Sequence, residues 1–469
     1  MPVNSFESYP MSWKPNRDEL QKPYYEAIAS ALEQDIVSGK LPPNTKLPPQ
    51  RELADYLDLN LSTITRAYKS CELKGLIYAT TGKGSFVSPN IYSQNVLLRD
   101  QNTIKVIELG TVEPFYQLNH LVMKAAHKVI EKSSAINLLE YMQPWDNRYH
   151  LSAAKHWLEK FHVKVSLDNI LITSGGQNAL TVTLISLFQP GDKIATDPYT
   201  YPNFIGLANL LHIQLIPVEN DKHGMLPDSL EHICKTTNIK GIYLMPSCSN
   251  PTTITMPMER REKIAEIIKQ NGLTLIEDDT YSFLLPDGYT PFYSMIPEQT
   301  IYICGTSKSL CAGLRVAFMA YPNHFRSTLI NGAYNTNLKT AAINTEIIVE
   351  LINSGLADKI IEAKRELAVE RNRIYLQLFS DAKFCNEATF FQWYQLPNDI
   401  DGREIELLAE SYGVRILCSQ KFSVGSTEKN SYIRLAICSP KETEELERGL
   451  SIIQKTIHIQ SDNKQNFIV

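Results

Sequence analysis

Lys308 is the side chain in this sequence best suited to covalent chemistry. It ends Gly305-Thr306-Ser307-Lys308, directly after the apolar run Ile301-Tyr302-Ile303-Cys304. An amine just past a buried strand can form a Schiff base with an aldehyde. Another apolar strand ends in Ile276-Glu277-Asp278-Asp279-Thr280-Tyr281 and brings the Asp278 carboxylate to its end, where it can hold a protonated ring nitrogen. Gly175-Gly176-Gln177 separates the strand-like stretch 169–173 from helical residues 178–188. Backbone N–H groups at such a helix start hold phosphate, and Arg315 in Gly313-Leu314-Arg315 adds a two-pronged charge. Tyr201, in Pro198-Tyr199-Thr200-Tyr201-Pro202, can stack on a ring, while Asn250 and Tyr281 can donate to a phenolic oxygen. A lysine, a buried anion, phosphate donors and a stacking aromatic are what pyridoxal 5'-phosphate requires of a protein. Singly, a Ser-Lys pair is usually surface, an Asp pair a turn and a Tyr beside Pro packing; the ordered series carries the reading.

The elements that would position these residues alternate. Strand-like segments at 169–173, 192–195, 241–244, 273–276 and 301–303 are interleaved with helical ones such as 257–270. This pattern predicts an α/β fold with a mostly parallel sheet covered by helices. At 469 residues the chain exceeds one core's usual size, so more than one domain is expected. Hydrophobic content of 43% and charged content of 21% describe an ordinary globular protein. No run of about 18 apolar residues is present, which argues against a membrane span. Residues 1–10 lack the basic region and apolar core of a secretory signal, and the expected location is cytoplasmic. The eight cysteines are scattered singly without a Cys-x-x-Cys pair, so they read as reduced, mostly buried thiols, with neither zinc nor any other metal expected.

The first ninety residues follow a different plan. Residues 1–18 read as a loose arm. Helices are predicted from about Pro23 to before Gly39, from about Pro49 to Leu57, and from an Asn60 N-cap to Gly75. Leu76-Ile77-Tyr78 and Ser85-Phe86-Val87 then flank a glycine-rich basic tip, as in a hairpin. Three helices and a wing make a winged helix-turn-helix. Net charge over the whole chain is −5, yet residues 40–90 hold seven Lys/Arg against four Asp/Glu. A recognition helix presents short polar and basic side chains from its first turn to base edges, which suits Asn60, Ser62, Thr63 and Arg66. Arg51 is placed for a phosphate, and Lys83 and Gly84 let the wing approach the DNA backbone or minor groove. The expected organisation is a winged helix-turn-helix at 19–88, a linker at 89–104 and a cofactor domain at 105–460.

Both ends resemble known families. Leu47 to Ala54, Thr63 to Tyr68, Gly75-Leu76 and Gly82 to Val87 resemble the GntR family of bacterial regulators, with Leu61 where that family often has Arg. Residues 105–460 resemble the fold-type I aminotransferases, through Gly175 to Gln177, Pro190-Gly191-Asp192, Tyr201, Asn250-Pro251-Thr252, Glu277 to Tyr281, Ser307-Lys308 and Gly313 to Arg315. That resemblance implies that Arg434, in Tyr432-Ile433-Arg434-Leu435, clasps a substrate carboxylate, and that Tyr141 reaches a neighbouring subunit's phosphate. Departures are Thr253 in place of glycine, Gly305 in place of a hydroxyl residue (with Thr306 as a replacement phosphate donor), and a 145–152 stretch lacking the expected glycine and Leu-Arg pair. They weigh against efficient transamination.

The combination resembles the MocR subfamily of GntR-type regulators over nearly the whole chain. This implies a homodimer that binds a double-stranded DNA operator and carries pyridoxal phosphate on Lys308. An amino acid or amine effector, anchored at Arg434, would displace the lysine and shift the winged helices on DNA. Two rival readings stand beside it: an active aminotransferase with an appended DNA-binding module, and a regulator for which pyridoxal phosphate is itself the effector.

Overall fold

The computed structural model describes residues 11–42, 45–80, 83–88, 106–140, 147–285, 289–380, 382, 387–397, 400–425 and 431–466. The expected linker at 89–104, the Gly82 wing tip and Tyr141 lie outside the described residues.

Near the N-terminus, helices Tyr24–Val37, Gln50–Leu57 and Leu61–Leu73 enclose a small core. Ile28, Leu32 and Ile36 fall four apart and form one buried stripe on the first helix. Leu53 and Leu57 of the second helix and Ile64, Tyr68 and Cys71 of the third close over it. Asp58, in the left-handed region at φ 48°, turns the chain between the last two helices. The buried Tyr68 hydroxyl donates to the Pro48 carbonyl at 2.9 Å, tying the third helix to the entry of the second. Strands Ile77–Thr80 and Gly84–Val87 pair antiparallel, with Tyr78 and Phe86 stacked across them. One expectation is overturned here. Residues 11–18 are no loose arm: Trp13 is buried and its indole N–H donates to Asp35 at 2.8 Å, because an indole burying this much apolar area needs a partner for its one donor.

Beyond residue 106 the chain builds a seven-stranded sheet. Its spatial order is Ile170–Thr173, Ala317–Ala320, Thr300–Gly305, Thr274–Asp279, Gly241–Leu244, Lys193–Thr196 and Gln214–Pro217. Only Ala317–Ala320 runs antiparallel to its neighbours. Thr300–Gly305 and Ala317–Ala320 are buried at every position, as expected where helices cover both faces. A smaller antiparallel sheet of Gln392–Gln395, Tyr432–Leu435 and Leu417–Cys418 follows. Ile107–Glu108 pairs in parallel with Val414–Arg415, so the start of the large domain is stitched to its end. The Glu108 carboxylate then accepts from the N–H groups of Gly110 and Thr111 at 2.8 and 2.7 Å and pairs with Arg415 at 2.9 Å. Ser439 accepts from the Glu113 N–H at 2.9 Å and donates to the Thr111 carbonyl at 2.6 Å. Residues 108–113 thus form a fixed strap between the two sheets. Among the described residues, no helix is long and apolar enough to cross a membrane.

Ile64 is fully buried under the third helix. Ile64→Ala should destabilise that helix by about 2–5 kcal/mol, read as faster amide hydrogen exchange over 61–73 in the full chain. Exchange in the seven-stranded sheet should not change.

Candidate functional site

A cavity of about 320 Å³ opens beyond the ends of the central parallel strands, and Gly176, Gln177, Tyr201, Asn250, Asp278, Tyr281, Lys308, Arg315 and Arg434 all line it. Ligands gather at this edge of open α/β sheets because the strands end together and the loops that follow diverge. Asp278 is the penultimate residue of Thr274–Asp279, and Lys308 lies in the short helix Thr306–Ser309 that follows the adjacent strand. Their separation in sequence therefore becomes proximity in space.

Asp278 accepts from Tyr243 and Thr280, each at 2.9 Å. Burial pushes its carboxyl up to about 6, while those two hydrogen bonds pull the other way. A cationic ring nitrogen beside it would hold it ionised. Lys308 donates to the Val112 carbonyl on the strap. Burial lowers this amine to about 8; Arg434 acts in the same direction, Glu113 opposes it and Arg315 adds a smaller push downward. Behind it, fully buried Lys364 donates to the carbonyls of Lys308 and Leu310 at 2.8 and 3.2 Å, and burial brings its own amine down to about 7.

The phosphate end depends on glycine. Gly175 adopts φ 88° ahead of helix Gly176–Leu187, and a Cβ there would lie 2.9 Å from Arg315 Nη2. A Cβ on Gly176 would meet nothing within 4 Å, so its side faces open cavity. Arg315 Nη1 donates to the Ser307 hydroxyl at 3.1 Å. Thr306 does not replace the missing hydroxyl residue: its side chain is buried and donates to the Val316 carbonyl at 2.7 Å, so Ser307 is the hydroxyl facing the cavity. Burial pushes the Tyr201 hydroxyl up to about 12 and that of Tyr281 well above its usual range, so both remain O–H donors at neutral pH. Thr253, where glycine was expected, sits at φ 61°, the left-handed region that glycine occupies without strain.

Arg434 crosses the seam between the two sheets. Nη1 donates to Asn250 Oδ1 at 2.8 Å and Nη2 to the Gly110 carbonyl, while Nε is buried with no partner. With its oxygen engaged, Asn250 keeps its NH2 for a cofactor oxygen. Gln177 Oε1 is also buried and unpartnered. An open glycine cradle beside Arg315, the Ser307 hydroxyl, and a buried carboxylate in the same cavity as a lysine fit pyridoxal phosphate. The sequence reasoning passed over Tyr243, Thr280, Lys364 and Glu113. Thr280, two residues past Asp278, could have been found from spacing; Lys364 is one more charge in the helix Leu356–Leu378, and nothing in its surroundings in sequence distinguishes it.

On the N-terminal domain, Arg51, Asn60, Ser62, Arg66, Lys83 and Gly84 are exposed and Thr63 is half-buried. Asn60 occupies the N-cap position but makes no side-chain cap bond, which overturns its expected capping role and leaves its amide for other partners. Arg66 lies 3.7 Å from the centre of the Tyr25 ring, a cation–π contact that directs it against the first helix. Thr65 donates to Gln50 at 2.8 Å, linking the two helices of the reading motif. Leu61, at the departure from the GntR pattern, is 42% exposed.

Comparison with known proteins decides the family. Residues 104–453 match the model for aminotransferase class I and II, and residues 24–87 match that for bacterial regulatory proteins of the gntR family. The Bacillus subtilis HTH-type transcriptional regulator YdeF, itself described as uncharacterized, is 40% identical over 97% of this chain and 99% of its own length. The chain belongs to the MocR-type regulators, which join these two domains. An archaeal alanine:glyoxylate aminotransferase structure superposes with a TM-score of 0.71 at 26% identity, covering 78% of this chain and 93% of its own. Aromatic-amino-acid aminotransferase 1 of Thermococcus litoralis is 26% identical over 77% of this chain and 90% of its length. This MocR-type chain is therefore a transcriptional regulator with a fold-type I aminotransferase-like domain, and pyridoxal phosphate is the cofactor its second domain supports.

Two outcomes test the pocket. Capture of an aldehyde needs the neutral amine, so the rate at which added pyridoxal phosphate gains its protein-bound absorption band should rise with pH through about 8 and level off above. Stopped-flow absorbance between pH 6 and 9.5 measures this. Gly175→Ala should weaken cofactor binding by about tenfold or more in equilibrium dialysis, since the methyl displaces Arg315 and the backbone is strained.

Proposed function

We propose that this regulator senses an amino acid in the Lys308 cavity and converts that binding into altered DNA affinity. The observation that carries the reading is the pairing of Lys308 with Arg434 in one cavity, where the buried Arg434 keeps an unpartnered N–H. When bound, the cofactor supplies an aldehyde carbon at which Lys308 and an incoming amine exchange. Arg434 would receive the ligand's carboxylate, Asn250 and Tyr281 would hold the cofactor's phenolic oxygen, and Tyr201 would cover its ring. Gly176, Gln177 and Arg315 would bind the phosphate, and Asp278 the ring nitrogen. Tyr141 would complete the phosphate site from a second subunit of a homodimer. The winged helices of residues 19–88, joined through 89–104 to the sensing domain at 105–460, would read two half-sites in cytoplasmic DNA. There Asn60, Ser62, Thr63 and Arg66 would meet bases, and Arg51, Lys83 and Gly84 the backbone.

A route between the sites supports the coupling. Tyr201 holds the N-cap position of the helix Pro202–Leu210, and just past that helix's far end His212 Nδ1 donates to the carbonyl of Leu73, the last residue of the recognition helix, at 2.8 Å. Gly75 also packs against Asn209, where a Cβ would come within 2.6 Å of its oxygen. A ligand that moves Tyr201 can thereby bias where the recognition helix sits, provided it prefers one of the two arrangements.

The test is fluorescence anisotropy of the holoprotein on DNA from its own promoter, with and without an amino acid panel. The reading predicts that at least one amino acid changes DNA affinity by about fivefold or more, and that Lys308→Ala abolishes the response. Multiple turnover with a keto acid and unchanged DNA binding would instead favour a working aminotransferase. A response to the cofactor alone would make pyridoxal phosphate the signal. Arg51→Ala should weaken binding to specific and nonspecific DNA alike and reduce the salt slope by about one.

A further inference from the structure

The charges lining the cavity can be assigned almost completely. Its cations are Lys308, Arg315 and Arg434, and its anions Asp278 and Glu113. Arg315 packs on the Gly175 turn at the phosphate end, Lys308 is the condensing amine, and Arg434 is the site for one carboxylate. Among the described residues of this chain, no lining cation is left for a second carboxylate on the ligand. Asp278 is engaged by Tyr243 and Thr280 at the ring-nitrogen position. Glu113 is the one charge without an assignment.

Glu113 is also held in place. Its N–H is fixed by Ser439 at 2.9 Å, and the strap before it is fixed by Glu108 and Arg415. Its carboxylate enters no hydrogen bond or ion pair among the described residues; burial and the nearby Glu108 charge push its carboxyl up, while Lys308 and the exposed Lys441 act the other way. Immediately before it, the Val112 carbonyl accepts from Lys308 Nζ. A carbonyl oxygen has two lone pairs, so Val112 can accept a second N–H beside that of Lys308, and the strap presents two neighbouring acceptors to the cavity. A carbonyl beside a carboxylate is a receptor for an ammonium group, which offers three N–H donors and a charge.

We propose that the ligand of this pocket is a diamino monocarboxylic acid. Its carboxylate binds Arg434, one amine would exchange with Lys308, which leaves as a free amine, and its second, cationic nitrogen is received by Glu113 and the Val112 carbonyl. This rests on the amino-acid-sensing reading above and adds the ligand's charge pattern to it. A dicarboxylic amino acid is disfavoured by repulsion between its distal group and Glu113.

The experiment titrates full-length holoprotein with 2,3-diaminopropionate, 2,4-diaminobutyrate, ornithine, lysine, norleucine and 2-aminoadipate. Two readouts are followed, the visible band of the bound cofactor and the melting temperature. At least one diamino acid should bind about tenfold or more tighter than norleucine, which matches lysine's carbon chain without its charge. Glu113→Gln should bring that compound down to the norleucine level, and Glu113→Lys should shift preference toward 2-aminoadipate. If Glu113→Gln does not fold or hold the cofactor, the comparison of lysine-type ligands with norleucine on the natural chain decides alone. Norleucine or 2-aminoadipate binding as tightly as every diamino acid would overturn the proposal while leaving amino-acid sensing intact. No response to any of these compounds, with another amino acid active in the DNA assay, would overturn it too. No response to any amino acid in either assay would overturn both.

Discussion

Keeping positive charge out of water is the demand around which the second domain is organised. Lys364 and Arg434 are buried and Lys308 half-buried in one region, and each ion would cost several kcal/mol if left unsatisfied. The fold meets that cost mainly with backbone carbonyls. Val112 serves Lys308, Gly110 serves Arg434, and Lys308 and Leu310 serve Lys364. Carbonyls reach these positions only because the strap at 108–113 is tied to the small sheet and the short helix Thr306–Ser309 breaks off after the central strand. Strap, sheet end and seam are therefore one electrostatic arrangement. Moving any of them strands a charge.

The same arrangement explains what could be read in the sequence. Strand runs ending in Asp278 and Lys308 were legible because a fully buried parallel strand must be apolar throughout and then stop at its functional residue. Gly175 was legible for a related reason: positive φ and close approach of Arg315 admit no other side chain. Lys364 and Glu113 were not legible, since their meaning comes from residues that only folding brings near, Lys308 and Leu310 for the one, Lys308 and Ser439 for the other. Trp13 misled for a complementary reason. A short polar stretch reads as an arm, yet a single indole anchored on Asp35 pins it.

In the N-terminal domain the periodic stripes of Ile28, Leu32 and Ile36 and the turn glycines marked the elements closely. What they left unmarked was side-chain engagement. Arg66 is exposed, but it is stacked on Tyr25, so contact with a base would require it to exchange one π surface for another environment. Asn60 forgoes capping. The reading helix thus presents an amide that is uncommitted and a guanidinium that is partly committed.

The cavity's cations have one more consequence. Arg434 and Arg315 both act against the charged form of Lys308, Glu113 opposes them only in part, and the folded state carries that repulsion. A phosphate-bearing cofactor relieves it, and relief confined to the folded state shifts the folding equilibrium by mass action. At a hundred times its dissociation constant, a ligand contributes about 2.7 kcal/mol to stability. A difference of that size changes how often a chain opens to proteases and hence its abundance in a cell. Cofactor supply would then set how many copies of the regulator survive.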